Sequence, residues 1–325
     1  MSVLVGLIVM LGMLVVVPAG LRLVDDGRRP AGVQAGAERA GVQSAGVQSA
    51  EAEPAGVQAG AEPATLRLLR RAWPLLAAPG ALALWLPRSP LAAALAGCYA
   101  LATLALALHA PARLVVTRSL APAEIAVLTA LATPSVAGLA LVAERAGHGL
   151  FGFELGILAL TVPHFHFAGF TAALVAGLVC RTSPGPAARF AALSVPLGTL
   201  LVLLGYFVDD WAELAGALVL TAGMWTVGLL TWREVRSTAP DPATRALLGV
   251  SAVVLVATML LALSWAVGEA TGLAHPSLTW MAATHGLGNA LGFALCSLLA
   301  WRRLRSLPAD RPGEPRLPHP LPRTA

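Results

Sequence analysis

The stretch Thr161–Phe170, TVPHFHFAGF, decides how this chain is read. It places one proline and two histidines within four residues, in the middle of an apolar run from Phe153 to Cys180. Phe151 to Cys180 is 30 residues, about 45 Å if helical, more than an upright crossing of a bilayer core about 30 Å thick. Pro163 has no N–H, and its ring clashes with the carbonyl four residues back, at Ala159. A kink there, or a short interfacial helix before the span, accommodates both facts. Broken helices at membrane depth commonly line polar cavities.

Composition supports the membrane reading. Of 325 residues, 57% are hydrophobic and 12% charged, with a mean hydropathy of +0.74. A soluble domain carries about 25% charged residues. The polar surface left over is too small to cover a water-soluble body. The net charge of +5 comes from arginine, with no lysine in the chain. No basic cluster alternates with aromatic residues, so a nucleic-acid partner has nothing to rest on; the bilayer is the implied partner. Cys98, Cys180 and Cys296 stand at unrelated spacings. They form neither a disulfide framework nor a metal clip and read as small packing residues.

A span needs roughly 20 helical residues, and nine segments qualify. They are Val3–Ala19, Ala72–Leu86, Pro90–His109, Pro122–Ala143, Phe153–Cys180, Ala187–Val208, Trp211–Trp232, Ala243–Val267 and Ser277–Trp301. The second is short and holds Pro74 and Pro79. Proline opens several others, after Ser89, Ala121 and Asp241, where a missing N–H is harmless. Val3–Ala19 lacks a positive n-region and reads as a retained helix rather than a signal peptide.

The fold class is thus all-α, a polytopic bundle of about nine helices. Sorting arginines by alternate loops puts 20 of 22 on one side, leaving Arg88 and Arg145 on the other. The positive-inside rule then places the N-terminus outside and the C-terminus in the cytoplasm. Residues 1–24 form the first helix and 65–303 the rest of the bundle. Residues 25–64 repeat AGVQ from Ala31, Ala40, Ala45 and Ala55. With valine as its one apolar member, the repeat cannot build a core and reads as a disordered cytoplasmic insertion. The proline-rich tail, 304–325, reads as extended cytoplasmic chain.

Ionisable groups at membrane depth are costly and therefore candidate functional residues. Glu124, Glu144, Glu154 and Glu269 fall near helix ends. Asp209 and Asp210 fall in a short outer loop, and Asp210-Trp-Ala-Glu213 resembles a helix cap. His164, His166 and His285 remain near the midplane. On a regular helix His164 and His166 point about 200° apart, so an HxH metal clip needs an irregular backbone. His166 shares a face with Gly169, Ala173 and Gly177; His285 shares one with Gly288, Asn289 and Gly292. Small-residue stripes let helices approach closely. The expectation is that these two faces meet, bringing His166, His285 and Asn289 together, with His166 the principal residue.

Such imidazoles can relay protons, contact a solute, or bind Zn, Cu or haem iron, His164, His166 and His285 being the candidate ligands. They can also simply fix helix packing. No HExxH, nucleotide loop, GxSxG elbow or paired acids accompany them, and the sequence names no cofactor. A transporter-like role is the first reading. A metal- or haem-dependent redox enzyme and a structural assembly factor are the alternatives.

TVPHFHFAGF, THGLGNALGF in the last helix and VVVPAGLRL after the first resemble the YndJ-like family of bacterial multi-pass membrane proteins. The resemblance covers about Val3 to Trp301, apart from the low-complexity insertion, which departs from the family's usual short first loop. It implies a multi-pass protein of the bacterial plasma membrane and gives weight to His164, His166, His285 and Asn289. Members are sometimes labelled transporters; no substrate or mechanism follows.

Overall fold

A computed structural model describes residues 2–24, 64–183 and 185–306. The AGVQ repeats and nearly all of the proline-rich tail lie outside these residues. Among the described residues there are nine long helices and no named strand, as the sequence leads one to expect. They are α1 (Val3–Leu21), α2 (Ala64–Ala83), α3 (Pro90–Thr117), α4 (Pro122–Ala146), α5 (Leu155–Thr182), α6 (Pro186–Gly205), α7 (Asp210–Thr238), α8 (Pro242–Thr271) and α9 (Leu278–Ser306). Eight are long and apolar enough to cross a membrane.

The exception is α2, whose first half carries Arg67, Arg70 and Arg71. It still runs the length of the bundle. Thr65 at its start meets His109 near the end of α3, and its last carbonyls reach Arg145 at the end of α4. Its apolar side, including Leu66, Leu69, Trp73 and Ala77, is buried. It begins earlier than the sequence suggests because the arginines extend from its outer face while that stripe packs inward.

Local chemistry sets the boundaries. Pro90, Pro122 and Pro242 each open a helix. The side chains of Ser89 and Asp241 accept the amides of Ala92 and Thr244, satisfying N–H groups that the helix leaves free. Gly147 and Gly272 end α4 and α8 at φ 74° and 73°, where a side chain would be strained. The α6–α7 hairpin closes backbone to backbone: a Cβ on Gly198 or Gly216 would stand 2.5 Å from the amide nitrogen of Leu220 or Val202.

The core sits around α5, which is buried along nearly all of its apolar length, whereas most of α9 is at least partly exposed. Outward side chains such as Leu75, Val115 and Val116 are bare hydrocarbon, the surface a lipid environment accepts. The ion pairs lie towards helix ends. Glu124 accepts Arg113 at 2.8 Å and Arg181 at 2.8 Å, tying α3, α4 and α5 together. Glu144 stands near the end of α4, a position where solvent is commonly available. It is instead fully buried, clasped by Arg145 and by Arg88 at 2.9 Å.

The overlong α5 does break near Pro163, but as a change of helical winding. Phe165–Thr171 is π-helical, and the Thr171 hydroxyl donates to the carbonyl of His166 at 2.9 Å. Gly12–Val16 in α1 and Gly288–Leu295 in α9 are π-helical too, and the three widened segments touch one another in the bundle interior. Such segments recur at functional sites.

Candidate functional site

A cavity of about 430 Å³ opens beside α5, walled also by α1, α4, α6, α7, α8 and α9. Its wall is overwhelmingly apolar. The polar side chains on it are Thr161, His164, Tyr206, Glu213, His285 and Asn289.

Three of the four sequence-derived polar residues therefore share one space: His164, His285 and Asn289. The fourth does not. His166 is completely buried away from the cavity, its Nε2 2.5 Å from the Tyr99 hydroxyl and its Nδ1 against Gly12 of α1. Trp73 continues this cluster, edge-on to Tyr99 and donating from Nε1 to the Met13 carbonyl at 2.8 Å.

The expected meeting of two small-residue faces is corrected as well. A Cβ on Gly169 or Gly177 would meet Thr133 or Ala123 and Ala126 of α4. One on Gly288 or Gly292 would meet Thr258 or Val254 of α8. Each stripe packs closely, but on a different partner; Ala173 between them is fully buried. The physical reason is the π-helical stretch. It spreads more residues over each turn, so the 3.6-residue wheel that grouped His166 with Gly169 and Ala173 does not hold there.

The cavity's two histidines are held differently. The Nδ1–H of His285 donates to the Thr258 carbonyl at 2.8 Å, and its Nε2 accepts from the Asn289 amide at 3.1 Å. The Thr258 hydroxyl lies 3.0 Å from Asn289 Oδ1 and 3.0 Å from the Val254 carbonyl, either of which can accept its one proton. The Thr258 carbonyl, which can only accept, fixes the tautomer of His285. His164 lies at the last α-helical position before the π segment, half-buried, edge-on to Phe165. Among the described residues nothing hydrogen-bonds its ring, and it lines the same cavity as His285.

At another part of the wall, Glu213 faces the Tyr206 side chain. The cap of α7 is Asp209, which accepts the Ala212 amide at 2.7 Å, so Glu213 is free to line the cavity. Sequence reasoning assigned it to the cap. The signal was its position one turn into the helix, with a glycine, Gly205, allowing α6 to close on it. Tyr206 lies outside the helices, and burial, then the neighbouring Glu213 carboxylate, raise its pKa.

Among the described residues no three His, Cys, Asp or Glu side chains gather as a metal site. The candidate ligand set His164, His166 and His285 is not assembled, because His166 is turned to Tyr99.

The arrangement defines a multi-pass α-helical membrane protein with an apolar cavity between its helices and a few polar contacts on the cavity wall. The family model described as YndJ-like protein matches residues 7–293, and the chain belongs to that family. No curated protein and no solved structure matches it.

Proposed function

We propose that this protein is a transporter-like handler of a small, largely apolar solute in the bacterial plasma membrane, with the cavity as the solute site. The observation that carries this reading is His164: a polar ring on an apolar cavity wall, with donor and acceptor positions that no described residue takes up. The ring is half-buried; a hydroxyl or amine on a solute would hydrogen-bond it, while the hydrocarbon wall would take its apolar body. His285 and Asn289 form the fixed edge against which such a solute is oriented. An N-terminus outside and a C-terminus in the cytoplasm agree with the 20 arginines on one side. Arg305, donating to the Leu23 carbonyl at 2.8 Å, holds the last helix beside the exit of the first.

The test is photolabelling of the purified protein in lipid nanodiscs with a diazirine-bearing alkanol, followed by peptide mapping. Saturable label is expected on the cavity-facing residues of α5 and α9, weakened several-fold by His164→Phe. Label that is non-saturable, or confined to outward faces, would refute the cavity as a solute site.

A further inference from the structure

Resting on that reading, we infer that the solute class is a lipophilic cation: an apolar body bearing an organic ammonium or similar delocalised positive charge. Three observations combine. First, Glu213 is the one acidic side chain on the cavity wall among the described residues, and no arginine stands on that wall. Its neighbour on that wall is Tyr206, whose hydroxyl is an uncharged hydrogen-bond partner. Among the described residues on the cavity wall no arginine supplies this carboxyl with a counter-charge. An anionic solute would meet repulsion with no compensating partner; a cation would supply the missing charge.

Second, an aromatic cluster lines the same cavity and includes Tyr206, the neighbour of that carboxyl. Phe153 stands edge-on to Tyr206 at 6.2 Å and to Phe207 at 5.1 Å, and Phe207 stands edge-on to Phe151 at 6.1 Å. All four side chains line the same cavity. Ring faces attract cations, and aromatic cages beside a carboxylate are a general solution for organic ammonium groups.

Third, the two polar regions are chemically different. The imidazole of His164 offers a hydrogen bond and Glu213 beside Tyr206 offers negative charge, on a wall that is otherwise mostly apolar. Together they fit a molecule with a positive head, a hydrocarbon body and at most a neutral polar group.

Tetraphenylphosphonium and tetraphenylborate, ions of the same shape and opposite sign, test the sign of the site directly. Each competes against the diazirine alkanol on the nanodisc-embedded protein. Tetraphenylphosphonium is expected to displace the label and to raise the melting temperature of the unmodified protein; tetraphenylborate is expected to do neither. Glu213→Gln should weaken displacement by the cation at least tenfold, and Glu213→Asp, which keeps the charge, should retain most of it. Equal displacement by the two ions, or an unchanged cation affinity in Glu213→Gln, would overturn the cation assignment while leaving the cavity as a solute site. If the alkanol never labels the cavity and neither ion shifts the melting temperature, both readings fall. The melting measurement needs no variant, so a misfolded substitution cannot shield the inference.

Discussion

The Tyr99 hydroxyl lies 2.5 Å from Nε2 of His166, and both side chains are completely buried. This pair joins α3 to α5 and, through Gly12, to α1. It makes His166 a buried packing residue, with Nε2 paired to Tyr99 and Nδ1 without a hydrogen-bond partner among the described residues, distinct from the two histidines that line the cavity.

Removing that bond is expected to cost stability without touching the cavity. Tyr99→Phe should destabilise the fold by about 0.6–2 kcal/mol, the range for a buried hydrogen bond in a membrane helix bundle. Unfolding in bicelles measures it. A matching loss of alkanol labelling would contradict the separation of His166 from the solute site.

Gly12 is where α1 meets the imidazole of His166, with no room for a methyl group. Gly12→Ala should cost about 1–3 kcal/mol through overpacking. The penalty should shrink when His166→Ala is introduced as well. An equal penalty in both backgrounds would place the clash elsewhere.

Disulfide trapping checks which helices the small-residue stripes touch. Cysteines introduced together by Gly292→Cys and Val254→Cys should crosslink on mild oxidation: a Cβ at 292 stands 3.1 Å from that of Val254, so the helices need only part by a few tenths of an ångström to reach the disulfide range of about 3.5–4.5 Å. His166→Cys with His285→Cys should not. Efficient crosslinking of the second pair would restore the helix pairing that wheel geometry suggests.

Arg145 and Arg88 share Glu144 unequally. Arg145 is 3% exposed and also reaches the carbonyls of Ala83, Leu84 and Leu86, whereas Arg88 is 42% exposed. Arg145→Ala strips a buried carboxylate of its inner partner and should cost about 3–5 kcal/mol. Arg88→Ala should cost well under half of that, because solvent screens an exposed charge. Denaturant unfolding of the two variants compares them.

Asp241, in the loop before α8, gives a signed pH dependence. Hydrogen bonds from the Thr244 hydroxyl and amide, then Arg303, hold its carboxyl down at about 2. A depressed carboxylate contributes stability that is full above its unfolded value, about 4, and lost as pH falls towards 2. The stability gap between wild type and Asp241→Asn should therefore be constant from pH 5 to 7 and close below pH 4. A gap that widens on acidification would reverse the sign.

The chain's apolar runs, its scarcity of charge and its proline-opened helix starts determined the class of fold and nearly every helix. These are local properties: about 20 apolar residues in sequence can satisfy their backbone in lipid only as a helix. His164, His285 and Asn289 were legible as candidates for the same local reason, being polar groups inside such runs. Which face each residue takes was not. The sequence implied a break at Pro163, but a π-helical stretch and a kink leave the same proline and move the following side chains to different neighbours. Only the tertiary structure decided that His166 meets Tyr99, that His164 turns to the cavity, and that Glu213 joins it there. Those placements depend on how α1, α4, α6, α7 and α9 close around α5, and helix-to-helix packing is set by contacts between residues far apart in the chain.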